Sequence, residues 1–277
     1  MDHTFETPHP VKLYVEIGSG QLSAEATDTA RDTGTTSIVL SGPGADQTEV
    51  VQDGDQISIV GPSQRAGFLG GDRRVMAEVT VPTSSQLITK LGSADQSARG
   101  TWTMVKAKGG SGDVAIEHVT GPCVVATGSG DATIDRADGD LRVKSGSGDV
   151  RVRRTAATAG ISTGSGDVAI DETAASTVVK TGSGDVEVAD SRADLSVSTG
   201  SGDTRVRLQH RGSVGAKTAS GRFQVGVPTG IPVWTDISTV SGRIRSSLEG
   251  AGQPAEGEDY IEIRAKTASG DIVLEQR

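Results

Sequence analysis

The dipeptide Gly-Asp returns six times at one invariant spacing, on every eighteenth position: Gly112-Asp113, Gly130-Asp131, Gly148-Asp149, Gly166-Asp167, Gly184-Asp185 and Gly202-Asp203. From Gly128 through Asp203 each copy carries the longer stretch Gly-Ser-Gly-Asp. A period this short and strict leaves room for one supersecondary unit per copy. Such a unit buries its apolar face only by stacking on its neighbours. The chain is therefore expected to be all-β, a parallel β-helix or β-solenoid with 18-residue coils.

Reading down the copies at that step gives two columns. The first is Ile116, Ile134, Val152, Ile170, Val188 and Val206; the second is Val125, Val143, Ile161, Val179 and Val197. Side chains branched at Cβ suit a pleated, half-buried surface, so both columns read as core. Residues two positions away, such as Val114 and Val150 beside the first column and Thr127 and Thr163 beside the second, share its strand face. Each coil thus offers two short strands, 113–118 and 123–127 in the first clear copy. Gly130, Gly148, Gly166, Gly184 and Gly202 serve as structural turns. Identical positions of consecutive coils then lie about 4.8 Å apart, and about ten coils make a rod on the order of 50 Å long.

Composition narrows the function classes. Aromatic residues are 3% of the chain against 38 glycines, so the core is a narrow stack of aliphatic side chains. The net charge of −9 argues against a nucleic-acid or anionic-membrane surface, because phosphate binding needs clustered Lys and Arg. A single cysteine, Cys123, permits no internal disulfide. The first residues lack a basic region followed by an apolar stretch, and no apolar run approaches the length of a membrane span. The chain reads as soluble and cytoplasmic without direct membrane insertion, or as a surface protein if a leader precedes it.

The repeat weakens toward both ends. Residues 1–86 read as an irregular β portion that caps the solenoid, with Tyr14-Val15-Glu16-Ile17-Gly18-Ser19-Gly20 as a first, degraded turn and strands at 37–40, 48–51, 56–60 and 74–81. Residues 61–73 read as a loop. Residues 87–277 carry the repeats in one continuous domain, with a polar loop insertion at 249–259. Capping is expected because an open solenoid end exposes unpaired strand edges.

Each tempting motif has a plainer reading. The column Asp113, Asp131, Asp149, Asp167, Asp185 and Asp203 is a weak candidate for a calcium ladder. One Asp per coil fits poorly, and Arg222 and Arg243 replace it later. Each carboxylate is expected instead to accept backbone N–H bonds in its own turn. Gly-Ser-Gly-Asp lacks the third glycine and the Lys tail of a phosphate cradle. Outward charges, Glu187 and Arg205 among them, are expected to pair between adjacent coils. Arg151, Arg153 and Arg154 cluster and form a candidate interaction patch. His3, His9, His118 and His210 show no ligand spacing, and no nucleophile elbow occurs. Cys123 falls on an inward column, and Trp102 and Trp234 fall outside the regular coils, where cap packing is the simple reading. No catalytic residue, cofactor or metal is expected.

The repeat, with Val79-Thr80-Val81-Pro82 leading into Leu87-Ile88-Thr89-Lys90-Leu91-Gly92-Ser93-Ala94-Asp95, resembles a bacterial family of adhesin-like β-strand-repeat domains without assigned activity. The resemblance covers roughly residues 10–277 and implies a right-handed parallel β-helix with no catalytic residues to carry over. The expected function is a non-catalytic structural or protein-interaction module, with an unknown protein partner or self-association. Alternatives are a polymerising scaffold similar to bactofilins in coil size, a carbohydrate-active β-helix enzyme using Asp135, Arg153 and Asp171, and a calcium-stabilised β-roll.

Overall fold

The computed structural model describes residues 1–62, 73–249 and 260–277; the loops expected at 61–73 and 249–259 lie outside it except at their ends. The chain gathers into two compact units, Met1–Asp140 and Leu141–Arg277. In both units the strands form two sheets, and each coil gives one strand to each.

In the second unit one sheet holds Val150–Thr155, Val168–Thr173, Val186–Ser191, Thr204–Gln209 and Phe223–Val227. The other holds Leu141–Ser145, Ala159–Thr163, Thr177–Thr181, Leu195–Ser201 and Gly212–Ser220. Pairing is parallel in the register of the repeat, with Ile170 beside Val188 and Ile161 beside Val179. The first unit repeats the scheme, with strands Val114–Val119 and Cys123–Thr127 in its clearest coil. All eleven residues of the two β-branched columns are buried. Each contributes on the order of 1.5–3 kcal/mol once neighbouring coils cover it.

The turns explain two further columns. The hydroxyls of Thr127, Ser145, Thr163 and Thr181 accept the amide N–H of Gly130, Gly148, Gly166 and Gly184 at 2.9–3.2 Å, so a small hydroxyl three residues before the glycine closes each corner. The glycine is required by proximity. A Cβ on Gly130 would meet the carbonyl oxygen of Gly112 at 2.0 Å, and one on Gly184 that of Gly166 at 2.0 Å. Successive backbones touch at this corner with no room for a side chain.

Both ends depart from sequence order. The coil Lys12–Ile17/Gly20–Thr27, expected as a degraded terminal turn, is an interior rung. Lys12–Ile17 pairs with Gln56–Val60 on one side and Gln86–Leu91 on the other, and Gly20–Thr27 pairs with Val75–Pro82 and Asp95–Trp102. In the second unit the last coil, Ile261–Thr267/Ile272–Gln276, lies between Gly212–Ser220/Phe223–Val227 and Val233–Thr239/Ile244–Ser246. Each of these two coils is thereby covered on two sides.

The cap of the first unit is antiparallel, with Asp2–Glu6 on Thr35–Ser41, Thr35–Ser41 on Val75–Pro82, and Glu49–Asp53 on Gln56–Val60. It includes a short helix, Asp28–Thr33, that the β-dominated pattern does not announce. Thr27 caps its N-terminus by accepting the Ala30 N–H at 3.0 Å, and Gly34 ends it in the left-handed region.

Candidate functional site

The groups able to do chemistry are largely engaged in holding the coils. Oδ1 of Asp113, Asp149, Asp167, Asp185 and Asp203 accepts a backbone N–H at 2.7–2.8 Å. The donor sits in the next coil, not in the turn of the same residue as expected: Asp167 receives Asp185 and Asp185 receives Asp203. A carboxylate reaching forward one rung ties two coils with a charge-assisted bond. The same bond explains how Arg222 and Arg243 replace Asp, since the donor is the backbone amide that any residue but proline supplies, given to Asp203 and Asp271. Among the described residues no cluster of His, Cys, Asp or Glu is placed to hold a metal ion.

Two histidines join carboxylates that sequence spacing does not reveal. His118 Nε2 lies 2.8 Å from Asp138 Oδ2, and Arg136 donates to the same carboxylate at 2.9 Å. His210 Nε2 lies 2.9 Å from Asp190 Oδ2, beside Arg192 at 3.0 Å. The Arg136 bond, then the His118 bond, holds the Asp138 carboxyl below its ordinary range. At Asp190 partial burial pushes upward, and the bonds from Arg192 and His210 outweigh it. The signal in sequence is weak, because both pairs are 20 residues apart, off the step of the repeat.

Arg154 reaches Glu172 at 3.7 Å, while Arg151 and Arg153 project from the same strand. Arg153 and Asp171 lie on neighbouring strands, Val150–Thr155 and Val168–Thr173, which pair in parallel. Glu187 pairs with Arg207, not with its lateral neighbour Arg205. Cys123 is buried, and burial pushes its thiol up to about 12. Trp102 is fully buried, its indole N–H donating to the Arg99 carbonyl at 2.9 Å. Trp234 is half exposed on the outermost strand of its sheet.

The net charge conceals a polarised surface. In the second unit, the outward face of the sheet that begins at Leu141–Ser145 carries one column running Lys144, Ser162, Lys180, Ser198, Lys217 and Lys266. The adjacent column runs Arg142, Gly160, Val178, Ser196, Gly215 and Arg264. Six cations thus share one face with two acids, Glu262 and Asp236, on the last two strands. In the first unit, Lys90, Lys106 and Lys108 occupy the equivalent outward positions, Lys90 beside Lys108. Clustered cations are therefore present on a chain whose overall charge argued against them.

Where Ser196, Ser198 and Gly215 leave the sheet low, a depression of about 530 Å³ opens between Lys217, Lys266, Arg264 and Trp234. The Arg264 guanidinium stands 5.8 Å from the Trp234 ring centre and forms an ion pair with Glu262. Strand pairing aligns these residues: Trp234 lies beside Glu262, Asp236 beside Arg264, and Lys217 beside Lys266.

The model of the Toastrack DUF4097 family matches residues 13–275, nearly the whole solenoid. The chain belongs to that family. No curated protein matches it. Three solved structures are similar to the Toastrack chain at low identity. A protein described as a putative adhesin from Parabacteroides merdae is 11% identical, with 81% of this chain and 95% of that one covered and a TM-score of 0.47. Another so described, from Bacteroides fragilis, is 10% identical over 99% and 96%, with a TM-score of 0.37. One described as a putative lipid binding protein from Parabacteroides distasonis is 11% identical over 99% and 96%, with a TM-score of 0.42. At these values none carries an argument about what the Toastrack chain binds. No helix among its described residues is long and apolar enough to cross a membrane.

Proposed function

We propose that the protein is a non-catalytic binding module that presents the outward faces of its sheets to a partner, in the manner of an adhesin. The observation supporting this reading is the engagement of its reactive groups. The aspartate column accepts amides from the next coil, both histidine–aspartate pairs are clamped by an arginine, and the lone thiol is buried. What reaches solvent is a flat, charged surface suited to recognition by many weak contacts. Self-association is a second reading, supported by the outermost strand Val233–Thr239, which has a neighbour on one side only and leaves Trp234 half exposed.

The test is incubation of the purified protein with a panel of acidic and neutral polysaccharides, with and without calcium, followed by chromatography of the polymer. Unchanged chain length is expected for every member. Shortened products would overturn the non-catalytic reading. Light scattering over a hundredfold range of concentration distinguishes the second reading by a mass that rises with concentration.

A further inference from the structure

The cationic sheet face of the second unit is more than a solvated flank. Lys217 and Lys266 stand side by side on paired strands, and like charges directly opposite one another oppose sheet formation. Among the described residues Lys144, Lys180, Lys217 and Lys266 make no ion pair, whereas on the opposite sheet Arg154 finds Glu172 and Arg207 finds Glu187. Folding does not require such a row, and a bound anion would relieve it.

We propose that this face binds a linear acidic polysaccharide carrying one carboxylate per disaccharide. The reading deepens the binding-module function and rests on it. Three features select the ligand. Lys144, Lys180 and Lys217 occur on every second strand, so their spacing is about 9.6 Å, twice the strand separation. That is the span of two pyranose rings in an extended chain, which places one carboxylate at each lysine. A nucleic-acid strand carries a phosphate about every 3.4 Å and would leave most of its charges unmet. Between the lysines stand Ser162 and Ser198, hydroxyls on an otherwise smooth track suited to sugar hydroxyls. At the end of the track, the depression floored by Ser196 and Gly215 sets the half-exposed Trp234 indole beside Lys217, Lys266 and Arg264. An amphipathic ring next to cations takes the apolar face of a sugar while its carboxylate meets an ammonium group.

The probe is hyaluronan, with heparin, neutral dextran, single-stranded DNA and vesicles containing phosphatidylglycerol as comparators, and binding is measured by calorimetry. Saturable hyaluronan binding is expected, weakening at least about fivefold from 0.1 M to 1 M salt as the Debye length falls from about 10 Å to about 3 Å. The double variant Lys217→Gln, Lys266→Gln should bind about tenfold more weakly, and Trp234→Ala about fivefold. Arg151→Gln, on the other sheet, should bind as the parent does. All of these positions are exposed, and the fold of each variant is checked by circular dichroism before binding is measured. The proposal is overturned by no binding, by equal binding of the Lys217/Lys266 variant, or by tighter binding of heparin, DNA or vesicles than of hyaluronan. Those outcomes leave the non-catalytic reading intact. Cleavage of bound hyaluronan would refute that reading while sustaining the site.

Discussion

Replacing Gly166 by Ala tests the stacking of backbones at the Gly-Ser-Gly-Asp corner most directly. The added Cβ would sit 2.1 Å from the Gly148 carbonyl oxygen, 2.5 Å from its carbon and 3.0 Å from the Asp149 nitrogen. Ordinary contact begins at 3.4 Å, so all three atoms fall inside it and the oxygen deeply so. Every obstructing atom is backbone, and no rotamer change can yield. The two coils must separate where Asp167 N–H donates to Asp149 Oδ1 at 2.8 Å and Val150 N–H donates to the Asp167 carbonyl at 2.8 Å. Overpacking costs about 1–3 kcal/mol and each weakened hydrogen bond about 1 kcal/mol, so a loss of about 3–5 kcal/mol is expected. At about 2–4 °C per kcal/mol for a chain of this size, Tm should fall by roughly 6–20 °C. Gly160→Ala is the matched control, because a Cβ there meets nothing within 4 Å. That change should leave Tm level or raise it slightly, since alanine restricts the unfolded chain. Calorimetry of both variants decides the matter. A Gly166→Ala protein that melts with the parent, or equal losses in the two variants, would refute direct backbone stacking as the reason for the glycine.

Two further outcomes follow from perturbed ionisations. The Asp138 carboxyl is depressed by Arg136 and His118, so its stabilisation is complete above the unfolded value near 3.9 and lost as pH falls through the lower folded value. The gap in urea midpoint between the parent and Asp138→Asn should therefore shrink between pH 5 and pH 3, and a constant gap would contradict the assignment. With its thiol raised to about 12 by burial, Cys123 should react with a disulfide reagent at pH 8 only as fast as the fold opens. Burst labelling in the native state would show the side chain to be accessible.

The middle of the fold was legible because its core is written as β-branched columns at a constant step. Strands expected at 113–118 and 123–127 appear at Val114–Val119 and Cys123–Thr127. Legibility failed where spatial neighbours are not sequence neighbours. Lys12–Ile17 and Ile261–Thr267 look like worn terminal copies because the periodic relation to their real partners is broken by long excursions of chain. The lysine column is half visible by the same logic. Lys144 and Lys180 stand two full periods apart, whereas Lys217 and Lys266 fall out of step because one added residue and then the interleaved rung intervene. Net charge hid it, since whole-chain sums erase the difference between a sheet face and the corners lined by aspartate. The histidine–aspartate pairs escaped because side chains near the corners reach diagonally across coils.

Interleaving at the extremities also limits how such a molecule can lengthen. An extra copy of the repeat spliced between 150 and 200 would meet the same neighbours above and below as every existing copy. The coil Ile261–Thr267/Ile272–Gln276 is different, because both of its sides are already occupied, by Gly212–Ser220/Phe223–Val227 and by Val233–Thr239/Ile244–Ser246. Tandem duplication is therefore accommodated by the regular coils, whereas a copy of the interleaved coil would have to displace a neighbour.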